Sequence, residues 1–248
     1  MQLCLTKGYQ RPVTYNFWSE QAFDGVNDMQ LCIRTVLQAG VGEYEEKRSR
    51  FLSRVYPVVT EEEALLILAG LKKNYWDARH HCYAYIIDAE NPIQRFSDDG
   101  EPSGTAGVPI LEAIRKKELT NTLVVVIRYF GGVLLGASGL VRAYGKAASA
   151  GLDNARVVIS KLCLKTIIHI DYHIYGKLQN FLAGNQFPII DTRFTESVEV
   201  MVYTEPDRKE FFEKSVFELT GGKCEISYQE KKYVNFNEDG ICNNTKKT

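Results

Sequence analysis

Two stretches of this sequence carry residues whose types and spacing could do chemistry. The first is residues 95–110, RFSDDGEPSGTAGVPI, which sets the carboxylates Asp98, Asp99 and Glu101 and the hydroxyls Ser103 and Thr105 among glycines and prolines. Oxygen ligands of this kind suit Mg²⁺. Yet adjacent aspartates on extended backbone point to opposite sides, and Asp-Gly and Glu-Pro-Ser-Gly are strong turn formers. The expectation is a loop without metal, ordered by its carboxylates through backbone amides or Arg142. The second stretch is residues 127–148, IRYFGGVLLGASGLVRAYGKAA. It reads as a buried strand ending at Arg128, a Gly131-Gly132 loop, and a helix capped by Ser138 or opening at Gly139. Free amides at a helix start attract anions, and Arg142 and Lys146 share one face at i, i+4 spacing. Arg128, Gly131, Gly132, Ser138, Gly139 and Arg142 are therefore the candidate anion or RNA site, with Asp98, Asp99, Glu101, Ser103 and Thr105 as the supporting loop. The plainer alternative is a tight strand-to-helix turn, with Arg142 paired to one of the carboxylates.

Other chemistries find less support. The G-x-x-x-x-G-K-[ST] and G-x-G-x-x-G patterns are absent, as is the G-x-S-x-G elbow that activates a serine. His80, His81 and Cys82 stand side by side, but strand neighbours alternate faces, so His80 and Cys82 alone could share an ion, short of a zinc ligand set. No catalytic residue, cofactor or metal is expected.

The 248 residues suffice for two domains, and 25% of them are charged, with a net charge of −1. The sequence pI near 6.5 excludes a uniformly basic nucleic-acid coat, leaving a local patch as the form any such site would take. Six cysteines without a C-x-x-C pair, and no apolar run of signal-peptide or membrane-span length, point to a cytoplasmic chain with reduced thiols.

The elements that must position these residues follow from periodicity. Residues 1–42 read as a poorly structured leader, with Met29 as an alternative start. A strand carries Phe51, Val55 and Val58. A helix opens at Thr60 with a Thr60/Glu63 capping box. A strand (80–88), the acidic loop, a helix with Pro109 in its first turn, the apolar strand 121–130 and a small-residue helix complete a first domain, 43–155. The boundary falls at 154–160. From Lys161 the order β-α-β-β-α-β is the split βαβ, ferredoxin-like pattern, giving a second domain, 160–234. A polar tail, 235–248, follows.

Four stretches carry a resemblance: SRF (49–51), DARHHCYAY (77–85), FSDDGEPSGTAGVPIL (96–111) and VVIRYFGGVLLGASGLVRAYGKAA (125–148). Together they resemble the YigZ/IMPACT family over roughly residues 43–150. The resemblance implies an α+β protein: a ribosomal-protein-like α/β domain similar to domain IV of elongation factor G, followed by a ferredoxin-like βαββαβ domain. It implies a bacterial cytosolic protein. The reading taken from sequence and resemblance together is a binding protein for RNA, the ribosome or translation factors, not an enzyme and not associated with a membrane. The glycine loop also resembles, without its second serine, the phosphate loop of galactokinase-type kinases. A nucleotide-binding enzyme on that loop, or a protein-interaction module, is the alternative. Eukaryotic members regulate translation with an additional amino-terminal domain that this chain is expected to lack, so that role does not carry over. Oligomeric state is left open.

Overall fold

The computed structural model describes residues 32–88 and 92–237. It is a mixed α+β structure built on two antiparallel sheets. The first sheet has the order β2-β3-β6-β4-β5, from β2 (Gly40–Glu46), β3 (Ser49–Pro57), β4 (His80–Ile87), β5 (Ile93–Ser97) and β6 (Thr122–Tyr129). The unbroken apolar run of β6 places it at the centre, because both its faces are covered. Val124 and Val126 pack with Phe51, Cys82 and Tyr144 beneath α2 (Gly107–Lys116) and α3 (Gly136–Asp153). Leu123, Val125 and Ile127 pack on the other face with Ala64, Leu68 and Leu71 of α1 (Glu61–Asn74).

Local signals explain the helices. Thr60 Oγ1 accepts the Glu63 amide at 3.2 Å, and the Glu63 carboxylate accepts the Val59 amide at 2.9 Å, so the capping box forms one residue wider than its usual pattern. The small residues of α3 let it lie almost backbone to backbone on β2: a Cβ on Gly42 would sit 2.4 Å from Gly151 N. The β2–β3 connection is a two-residue turn in which Lys47 and Arg48 have φ of 48° and 66°. Such turns favour Asn-Gly, and two basic residues held there store roughly 1 kcal/mol or more each.

The second sheet, five-stranded, uses β1 (Cys32–Gln38), β7 (Arg156–Ile170), β8 (Ile189–Phe194), β9 (Val198–Thr204) and β10 (Glu225–Phe236). Antiparallel pairing gives the order β10-β7-β9-β8. The core of α4 (Tyr172–Gly184) and α5 (Lys209–Thr220), with Leu178, Leu182, Phe212 and Val216, packs against Ile168, Val200 and Val202.

Three expectations change. Residues 32–42, assigned above to the leader, are strand: β1 (Cys32–Gln38) pairs antiparallel with β7, from Cys32↔Lys161 to Gln38↔Arg156, burying Ile33 and Val36, and β2 begins at Gly40. The partner of β1 is so distant in sequence that local pattern carries no sign of it. The second sheet starts earlier than residue 160, because β7 begins at Arg156, inside the 154–160 boundary, and belongs to that sheet throughout. Asn235 and Phe236, assigned to the tail, belong to β10, and Phe236 is buried. Residues 1–31 of the leader and 238–248 of the tail lie outside the described residues.

Candidate functional site

The end of the first sheet where β6 finishes gathers both sequence-singled loops. The acidic loop is held from inside. One oxygen of Asp98 accepts the amides of Ala106 (2.9 Å) and Gly107 (2.8 Å), and the other accepts Gly104 N at 2.9 Å. This carboxylate thus caps α2 from outside the helix, where the dipole favours negative charge. Burial pushes its pKa up, but the three amides outweigh that and hold it below the ordinary aspartate value. Asp99 accepts the His81 amide (2.7 Å) and Lys72 Nζ (2.9 Å). Its pKa is also lowered, the Lys72 and His81 hydrogen bonds overcoming desolvation. Its carbonyl pairs with His80 Nδ1 at 2.9 Å. Thr105 is buried, its hydroxyl donating to Pro102 O at 2.7 Å, whereas Ser103 is exposed. His80 and His81 therefore both serve Asp99, through its carbonyl and its carboxylate, while Cys82 is turned to Asp98 O and Tyr144. Among the described residues no cluster of three or more metal-ligating side chains occurs.

Glu101 meets Arg128, not Arg142. Its Oε1 accepts Arg128 Nη1 at 2.6 Å and the Tyr144 hydroxyl at 2.8 Å. The Arg128 and Glu101 side chains are 7% and 4% exposed, so the pair is buried. The guanidinium lies over the rings of Phe51 (5.4 Å) and Phe130 (5.6 Å). Cys82 donates to Asp98 O at 3.0 Å and to the Tyr144 hydroxyl at 3.4 Å. Burial, the largest influence, pushes its thiol up to about 12, with the Tyr144 hydrogen bond pulling the other way. A thiol so protonated is no nucleophile.

The glycine loop is built in the opposite way. Its Phe130, Val133 and Leu134 are 52%, 43% and 84% exposed. Gly131 donates its amide to Ser49 Oγ at 3.2 Å and lies so near the β2–β3 turn that a Cβ would stand 2.1 Å from the Arg48 carbonyl carbon. Gly132 and Gly136 take φ of 84° and 70°. The helix begins at Gly136, earlier than the sequence suggests, with Leu135 at the cap position and no side-chain capping bond. Ser138 is exposed in the first turn and Gly139 is buried there. Arg142 is exposed without an ion pair among the described residues. It lines an open groove along α3 with Val141, Gly145, Lys146 and Ser149. Lys146 Nζ donates to the Tyr44 hydroxyl at 3.2 Å, joining this groove to β2.

The structure thus leaves Gly132, Ser138 and Arg142 exposed along the loop and the first turns of α3, buries Arg128 with Glu101, and leaves Asp98 and Asp99 partly exposed but fully engaged within the acidic loop. It adds Lys47 and Arg48, both exposed, which sequence reasoning passed over. The signal was present, since the residues between two strand patterns are Lys-Arg, but that pair lacks the turn chemistry that marks such a site.

Fold and site together define a two-domain α+β protein with a basic, glycine-rich surface at one end of its first sheet. Residues 47–152 match the Impact N-terminal domain, and residues 168–223 match a domain of unknown function (DUF1949). The chain is 44% identical over 200 residues to the IMPACT family member YvyE of Bacillus subtilis, covering 81% of this chain and 92% of that protein. It is 29% identical over 184 residues to the IMPACT family member YigZ of Escherichia coli, covering 73% and 90%. This chain belongs to the YigZ/IMPACT family. Similarity to Protein IMPACT of Mus musculus, 40% over 96 residues, spans 37% of this chain and 30% of that protein. The crystal structure of a hypothetical protein superposes with a TM-score of 0.52 at 26% identity, covering 82% of this chain and 99% of the other.

Proposed function

We propose that this chain is an RNA- or ribosome-associated binding protein linked to translation or its regulation, acting in the cytoplasm. We further infer that its first domain takes the elongation factor G domain IV-like fold and its second the ferredoxin-like fold. The strand order β10-β7-β9-β8 supports the second assignment. No helix among the described residues is long and apolar enough to cross a membrane. The observation that carries the reading is the glycine loop itself: Gly131 lies against the backbone of Arg48, Phe130 and Leu134 are exposed, α3 opens without a side-chain cap, and Lys47, Arg48 and Arg142, on the adjoining turn and helix, are exposed and without ion pairs among the described residues. Cations that track a backbone, with aromatic and apolar groups for bases, suit single-stranded nucleic acid.

Binding of a single-stranded RNA over a salt series tests this. Affinity should fall with a log–log slope of about −0.7 per phosphate contacted, and Arg142→Ala should remove about one contact's worth of slope. RNA binding that is absent at low salt, or indifferent to Arg142, overturns the reading. The uncapped start of α3 favours one other reading, a phosphate- or nucleotide-binding enzyme. In the same assay that reading requires a salt-tolerant mononucleotide complex, because amides would grip the phosphate.

A further inference from the structure

The outer face of α1 is unlike that of a solvated helix. Its inner face buries Ala64, Leu68 and Leu71. On the outer face Leu65 and Leu66 are 51% and 75% exposed, and at the two ends Val59 and Trp76 are 65% and 81% exposed. The exposed residues Glu62, Leu66, Ala69 and Lys73 recur at spacings of four, three and four, the seam of a helix that packs against another helix, and Trp76 stands just past its C-terminus. Nothing approaches the position of a Cβ on Gly70.

This seam is its own complement. We propose that α1 is the docking surface for a second copy of this chain, the two α1 helices packing antiparallel about a two-fold axis. In that register Leu66 faces the partner's Ala69 and Leu65 faces the partner's Gly70, with the exposed Val59 and Trp76 flanking the two ends of the helix. Glu62 faces the partner's Lys73. Neither Glu62 nor Lys73 has an ion pair within its own chain among the described residues, and the two-fold forms their pair twice. An isologous interface requires this matching of a surface with itself. Antiparallel helices also bring each positive helix N-terminus beside its partner's negative C-terminus. A different protein would have to supply the same charge and volume pattern in reverse, which a second copy has by construction. One helix pair buries less than the roughly 1,200 Å² of stable complexes, so the dimer is weak, with a dissociation constant in the micromolar-to-millimolar range.

Sedimentation of the full chain over a wide concentration series tests the proposal. The wild type should move from monomer to dimer. Leu66→Lys should raise the dissociation constant by about tenfold or more. Glu62→Lys and Lys73→Glu, each alone, should sediment as monomers, because like charges then meet twice. Mixing these two single variants should restore association as a heterodimer, since each lysine then faces a glutamate. All the substituted side chains are exposed, so thermal unfolding should stay close to wild type, separating docking from folding. A wild type that stays monomeric throughout overturns the proposal. So does association indifferent to Leu66, or a mixture of the two charge variants that fails to associate.

Discussion

Two loops lie at one end of the first sheet and use polar chemistry in opposite directions. The acidic loop turns its charges inward: Asp98 onto three amides, Asp99 onto Lys72 and the His81 amide, Glu101 onto Arg128 and Tyr144. The glycine loop turns outward, with exposed apolar side chains and a helix start without a side-chain cap, and the exposed Lys47, Arg48 and Arg142 on its neighbouring turn and helix have no ion pair among the described residues. The first loop is a foundation, and the second is the surface it supports. Acidic residues near a proposed anion site are compatible with it here because each carboxylate is already engaged, Glu101 by Arg128, Asp99 by Lys72 and Asp98 by three amides.

The comparison breaks most sharply at Glu101. Replacing it with alanine leaves Arg128 charged and buried without its carboxylate, and should cost about 3–5 kcal/mol in denaturant unfolding. If Glu101→Ala melts like the wild type, the acidic loop is no foundation. Asp98→Asn comes next. It swaps an acceptor of three amides for a group that must present a donor, at a cost of about 1–2 kcal/mol. Because the folded pKa of Asp98 is depressed, its stabilisation is complete above the unfolded value of about 3.9 and is lost as pH falls through the folded value. Stability curves of wild type and Asp98→Asn should therefore converge in acid and stand apart at neutral pH. Gly131→Ala forces a methyl against the Arg48 backbone and should cost about 1–3 kcal/mol. It should also weaken RNA binding by displacing the Lys47-Arg48 turn, which a filter or anisotropy assay reads. The smallest effect on folding belongs to Arg142→Ala, within about 0.5 kcal/mol, and the contrast between its silence in unfolding and its expected effect on RNA affinity sharpens the division.

Legibility in the sequence followed the range of the interactions. The Thr60 cap, the central strand at 122–129 and the β-α-β-β-α-β order after Lys161 depend on local pattern and were readable. The destination of Arg128 was not, because strand alternation shows that it shares a face with Val124 and Val126 but not that Glu101 and Tyr144 wait there. Arg142 lies one helix turn and a half beyond the loop, and sequence alone offered both a ligand and a carboxylate as its partner. The start of α3 was misjudged because Ser138 is a favoured capping residue, whereas the chain reaches helical geometry at Gly136 by way of positive φ. The strand at 32–38 left no trace, since Cys32 pairs with Lys161.

That last pairing has a consequence for the order in which this molecule comes into being. Synthesis delivers β1 early and β7 much later, so β1 must wait, unpaired, while the whole first sheet and its three helices emerge between them. Joining distant segments is slow because loop closure precedes the reward of contact. During that wait β1 presents an open edge with Ile33 and Val36 uncovered, a template for pairing with another chain. The first domain is closed off only when the opening strand of the second arrives, so a ribosome stalled before Lys161 would hold a sheet and its helices with their last seam still open.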